Sequence, residues 1–328
     1  MNKNKLKIIK ISSLVVLGTI ALILLYNVCI FQFAFKPNFG RCKKERTVEH
    51  EIQFFCGEEN YNIHMNDVKW FEEQKCPLIE ITSRDGLKLK AFVLEPEKKA
   101  EATVLLMHGY YSGPVREFAT ISRFLHKNNY RVILPYQRAH GESEGKWATF
   151  GINERYDCLD WVNKINELYG EDKPVFVGGI SMGCATITMA SGLKMPQNVR
   201  GYIADCGFTS PYEICYWTML KKMHIPRSIA DLLIYSLNWQ GTHFCNFPMN
   251  GYSTQKALSH ADRPFIFITG SSDTTVPYEM TMSNYLQYKM IHPETRLLLV
   301  EGGEHAVSYL LKKDEYEKMV LDFIKTYK

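Results

Sequence analysis

Six short apolar runs punctuate the chain after residue 100: TVLLMHG (103–109), YRVILPY (130–136), PVFVGGI (174–180), VRGYIADC (199–206), RPFIFITG (263–270) and TRLLLVEG (295–302). None alternates apolar with polar residues, as a strand with one wet face would. Strands buried on both faces need a cover on each, and helical patterns such as REFATISRFLHKNN and NERYDCLDWVNKINELYG fill the intervals. An α/β fold follows, with a mostly parallel central sheet and helices on both faces. Ahead of it, 78–83 and 87–94 read as extended segments joined by Arg84-Asp85-Gly86, a hairpin signal. The roughly 250 residues from 77 to 328 suffice for one such domain.

One connection departs from this rhythm. More than 50 residues separate Cys206 from Arg263, with candidate helices at Tyr212–His224 and Arg227–Trp239. A loop of that length is rarely structureless, so a cap over the C-terminal edge of the sheet is expected at about 208–260. Tyr216, Trp217, Met219, Met223, Trp239, Phe244, Phe247 and Met249 are available either to line an apolar pocket or to hold the cap down.

The N-terminus has its own logic. Ile11 to Phe35 is 25 residues without a charge, long enough to cross a ~30 Å hydrocarbon core with some tilt. A cleaved signal peptide would have a shorter apolar region ending in small residues, and none is visible. The expectation is a cytoplasmic stub at 1–10, a single-pass transmembrane anchor at 11–35, a stalk or lead-in at 36–76 with a helix near Asn66–Lys75, and an extracytoplasmic catalytic domain. The lysines and arginines flanking the span are balanced, so the short basic stub decides that orientation. The net charge of +4 is carried by Lys3, Lys5, Lys7 and Lys10, and the rest of the chain is neutral. A neutral body lacks the basic face that nucleic-acid binding needs.

Of nine cysteines, Cys158, Cys184 and Cys206 fall in apolar patterns, where cysteine behaves as a small hydrophobe. Cys42 with Cys56, and Cys215 with Cys245, are the candidate disulfides; a fully reduced set is the alternative.

The sequence G-x-S-x-G occurs twice. Gly179-Ile180-Ser181-Met182-Gly183 joins a strand directly to a small-residue helix, as a nucleophile elbow requires. Gly141-Glu142-Ser143-Glu144-Gly145 lies in a polar loop between two carboxylates, which would oppose a developing oxyanion. Ser181 is therefore the candidate nucleophile and Ser143 a loop residue. Serine needs a base, itself oriented by an acid. His305, just beyond the last strand, is the candidate base. Asp273, leaving the strand FIFITG, is the candidate acid, with Asp205 as rival. His108 and His140 suit structural hydrogen-bonding roles. Backbone N–H groups of Met182 and Tyr110 are the candidate oxyanion donors.

The segments HGYYSG, YQRAHGESEG, GISMG, DCGFTS, GSSDTTVP and GGEHA occur in the order found in α/β-hydrolases. Residues 77–328 resemble a bacterial, membrane-anchored branch close to the ABHD-type and prolyl-oligopeptidase-related serine hydrolases. The resemblance implies an α/β-hydrolase fold, a Ser181–Asp273–His305 triad and an oxyanion hole at Tyr110 and Met182. One departure stands out: the family's D-x-R-G-H-G reads Tyr136-Gln137-Arg138-Ala139-His140-Gly141.

The expected function is serine hydrolysis through an acyl-serine, a carboxylesterase acting on a small-molecule acyl ester. A peptidase and a non-catalytic anchored binding module are the alternatives. No cofactor is implied, and no metal: H-E-x-x-H is absent, and Cys215, His224, His243 and Cys245 lack a regular ligand spacing.

Overall fold

The computed structural model describes residues 17–18, 25–37 and 48–328. Eight strands form one sheet: β1 (Leu78–Thr82), β2 (Lys88–Leu94), β3 (Ala102–Met107), β4 (Tyr130–Pro135), β5 (Val175–Ile180), β6 (Val199–Asp205), β7 (Phe265–Gly270) and β8 (Arg296–Val300). Their spatial order is β1-β2-β4-β3-β5-β6-β7-β8. β2 pairs antiparallel with both β1 and β4, and every other pairing is parallel. The hairpin turns where expected, with Ser83 Oγ accepting from Leu87 N–H and donating to Asp85.

The side-chain period of two explains why the strands read as continuous apolar runs. On β3, Val104 and Leu106 enter one apolar cluster while Leu105 and Met107 enter the other. β7 divides likewise, Ile266 and Ile268 against Phe265 and Phe267. The first cluster is closed by α3 (Pro114–Lys127) and α11 (Lys313–Tyr327), the second by α4 (Glu154–Tyr169), α5 (Met182–Ser191) and α9 (Tyr278–Ile291).

The lead-in is more than a stalk. A helix α2 (Val48–Glu73), broken at Gly57, lies against α3. Phe71 is 2% exposed within the first cluster, Asp67 accepts from Arg123 Nη1 at 2.6 Å, and the Arg123 guanidinium covers the Trp70 ring.

The anchor expectation falls partly on residues outside the description, 11–16 and 19–24. Among the described residues no helix is long and apolar enough to cross a membrane. Residues 25–35 form a helix, α1, whose Phe31 and Phe35 are buried against the body. Phe31 meets Trp147 edge-on at 5.2 Å between centroids, and Phe35 meets Phe247 at 5.1 Å and Phe150 at 5.5 Å.

The cap contains α6 (Pro211–Trp217), a π-helical turn Thr218–Lys222, α7 (Arg227–Phe244) and α8 (Thr254–Leu258). Of the two roles open to its apolar residues, holding the cap down is the one that the packing shows for three of them. Met219, Phe247 and Met249 are buried in a packed cluster with Ala230, Ile234 and Leu237, and so fasten the cap. Met223, Trp239 and Phe244 are exposed. Cys215 and Cys245 are separate thiols, as is every described cysteine; Cys42 lies outside the described residues.

Candidate active site

Ser181 stands at a turn that only small neighbours permit. Its backbone adopts φ 56°, ψ −118° between β5 and α5. A Cβ on Gly179 would lie 2.4 Å from the Gly183 carbonyl, and one on Gly183 would lie 1.8 Å from the Met107 carbonyl oxygen. Both glycines let the strand reverse into the helix within two residues, and this holds a non-glycine residue at positive φ. Ser181 N–H donates to the Asp205 carbonyl at 3.0 Å, tying the turn to β6.

The structure brings Ser181, His305 and Asp273 together. His305 Nε2 is 2.8 Å from Ser181 Oγ, and His305 Nδ1 is 2.7 Å from Asp273 Oδ2. The other Asp273 oxygen accepts from the Thr275 and Val276 N–H groups, each at 2.8 Å, which fixes the carboxylate. Loop β8–α10, where α10 is Ser308–Leu311, is tied to the Asp273 loop: Ser272 N–H donates to the Gly303 carbonyl, and Thr274 N–H donates to Glu304 at 3.1 Å. Asp205, the rival acid, is buried with Oδ1 unpartnered and does not bond His305.

Burial works to lower the His305 pKa, but the charge and hydrogen bond of Asp273 outweigh it, and the net shift is upward from 6.5. Two further carboxyls face the same imidazole. Burial pushes Asp205 up to about 7 and Glu117 up to about 8. Glu117, in the first turn of α3, accepts from Gly109 N–H at 2.5 Å. Nothing in the sequence had marked Glu117; its place depends on the turn that brings α3 back over β3.

The loop after β3 is held by the loop after β4. His108 Nδ1 donates to the Gly109 carbonyl at 2.7 Å while its Nε2 accepts from Gln137 N–H at 2.9 Å. His140 Nδ1 donates to the Arg138 carbonyl at 2.9 Å, and its Nε2 accepts from Tyr111 N–H at 3.1 Å. Both imidazoles are buried, and desolvation lowers both pKa values, that of His108 to about 3. As neutral rings they brace the segment carrying Tyr110. Met182 opens α5, so its N–H is among the helix's first four, which have no partner inside the helix. Ser143 Oγ donates to the Tyr136 carbonyl at 2.6 Å and accepts from Lys90 N–H at 2.9 Å. The second G-x-S-x-G is therefore a loop fastener.

The departure at 136–141 is accommodated. Ala139 holds φ 65°, the left-handed region that glycine would enter without strain, and Arg138 anchors the loop with two bonds to Asp157 at 2.6 Å.

The Cys206 thiol, the Asp273 carboxylate and His305 lie within 4.8 Å of one another. Asp273 and His305 are already bonded to each other, and burial holds the Cys206 thiol well above its ordinary pKa. That favours proton transfer along Ser181–His305–Asp273 over metal ligation.

A family model described as alpha/beta hydrolase fold matches residues 102–226. The chain has the α/β-hydrolase fold. A curated relative, the uncharacterized protein YqkD of Bacillus subtilis (strain 168), is 24% identical over 255 residues, covering 77% of this chain and 81% of that protein. Among solved structures, the Pyrococcus furiosus esterase Pf2001 superposes on this α/β-hydrolase with a TM-score of 0.62 at 22% identity, over 78% of this chain and 93% of the esterase. Est1E from Butyrivibrio proteoclasticus, bound to ferulic acid, gives 0.55 at 15% identity, over 75% and 99%. These likenesses establish the shared architecture.

Proposed function

We propose that this α/β-hydrolase is a serine carboxylesterase acting on small-molecule acyl esters, held at a membrane by the part of the uncharged run that begins at Ile11 and precedes the packed Phe31 and Phe35, with its catalytic domain outside the cytoplasm. One observation carries the enzymatic reading: the unbroken relay from Ser181 Oγ through His305 to Asp273 at 2.8 and 2.7 Å. In this reading Ser181 attacks the ester carbonyl as His305 Nε2 takes its proton. The N–H groups of Tyr110 and Met182 hold the oxyanion. His305 returns the proton to the leaving alcohol, and water, activated by the same imidazole, releases the acid.

The surroundings favour an apolar acyl group. Met182 packs in a cluster with Ala148, Phe208 and Ile214, bordered by Tyr110 and Trp217. Pf2001 is an esterase by its name and Est1E binds ferulic acid, which is consistent with an ester-cleaving reading on the shared fold.

A fluorophosphonate probe should label the wild type and leave Ser181→Ala unlabelled; equal labelling of both refutes the assignment. Hydrolysis of p-nitrophenyl acyl esters well above that of aminoacyl anilides supports the esterase over the peptidase, and the reverse ranking overturns it. Absence of labelling in the wild type would leave the non-catalytic binding module.

A further inference from the structure

Helix α7 is apolar on two opposite sides. Ala230, Ile234, Leu237 and Gly241 share one face and are buried in the cap cluster. At 100° per residue, Leu232 and Trp239 lie at the centre of the opposite face, flanked by Ile229 and Tyr235. All four are exposed, Leu232 by 67% and Tyr235 by 68%. Ser228, Ser236 and His243 share this side, yet four large apolar side chains exposed together are more than a water-facing helix normally carries, and such a group is normally covered by something.

Three observations say what covers it. First, the uncharged run Ile11–Phe35 ends in α1, and Phe31 and Phe35 insert into the cluster that α7's inner face helps to build. The chain therefore meets the body at the cap, and a bilayer holding residues upstream of α1 lies within reach of α7. Second, the outer face carries Trp and Tyr beside aliphatics, the composition favoured at headgroup depth. Third, exposed Lys221 and Arg227 lie just before and at its N-terminal end, with Asp231, bonded to the Tyr216 hydroxyl, as the neighbouring acid, while Lys222 reaches the Thr275 hydroxyl instead. A basic rim on an apolar face matches an anionic lipid surface.

We propose that the outer face of α7 lies in the bilayer interface, so that the cap, and not the N-terminal segment alone, contacts lipid. The inference rests on the membrane tether proposed above. It makes lipid-dissolved esters the substrates presented most readily to the cap, since such molecules concentrate in the layer that α7 enters.

The test uses the full chain reconstituted in phosphatidylcholine–phosphatidylglycerol vesicles, with or without brominated acyl chains, which quench tryptophan on contact. The emission difference between wild type and Trp239→Phe isolates Trp239. With the helix ~5–10 Å into the headgroup–acyl boundary, the brominated vesicles should quench most of that emission. Leu232→Trp in the Trp239→Phe background should restore a quenched signal. If the chain floats with the vesicles but neither tryptophan is quenched, the tether stands and the cap proposal falls; the face is then covered by a second copy or by the chain's own N-terminal residues. If the chain does not float, tether and cap contact fall together. Equal rates of Ser181 labelling in every variant show that the fold is intact.

Discussion

At the scale of single residues, the site is governed by where protons reside. Neutral His305 is the form that can accept the Ser181 proton, and its pKa is raised above 6.5. Esterase kcat/KM should therefore climb with pH through an inflection above 6.5. Replacing Asp273 by Asn removes the charge that raises the imidazole, so the residual activity should inflect at lower pH while kcat drops by about 10⁴-fold, as loss of an orienting carboxylate does in serine triads. A pH–rate series on both proteins checks the shift. Glu117 acts on the fold. It holds a proton up to about 8 in the native state against 4.5 for a free carboxyl, so between those values the folded chain binds a proton that the unfolded one does not. Wild-type stability should fall as pH rises through that window. Glu117→Gln cannot titrate, and its urea midpoint should drop less between pH 5 and 8.5 than that of the wild type.

At the scale of elements, glycine positions divide sharply by what surrounds them. Gly183 faces the Met107 carbonyl oxygen, 1.8 Å from where a Cβ would stand, and backbone on both sides cannot yield. Gly183→Ala should abolish soluble expression or fluorophosphonate labelling. Gly302, at φ 69° with nothing within 4 Å, should tolerate alanine at a cost of about 1 kcal/mol, read from thermal unfolding with labelling retained. The strand-to-helix junction was legible because G-I-S-M-G sits between an apolar run and a small-residue helix. The partnership of the two early loops was not. That His140 would accept from Tyr111 N–H, or His108 from Gln137 N–H, follows from β4 lying beside β3, a pairing that no local pattern encodes.

At the scale of the whole molecule, the region before the sheet is part of the body. Phe71 is buried in the first cluster, edge-on to Phe92 at 5.8 Å between ring centroids, so Phe71→Ala should cost about 3–5 kcal/mol, measured by urea unfolding. A free stalk would show no change. The sequence reading missed this packing because α2 shows charges on several sides and no clean apolar stripe. Its few large apolar residues are placed by α3, more than 40 residues further on. The cap's composition left two roles open, lining a pocket or fastening the cap, and only packing decides between them, sending Phe247 and Met249 inward and Trp239 and Phe244 out.

Apolar runs without alternation determined a sheet covered on both faces, since only that arrangement removes both sides of such strands from water. Motif order along the chain nominated Ser181, Asp273 and His305. The tertiary structure alone decided that Asp273 rather than Asp205 meets the imidazole, that Glu117 lies beneath the Gly109 loop, and which side of α7 faces out. Those outcomes depend on distances between segments remote in sequence, and local residue preferences carry no information about such distances.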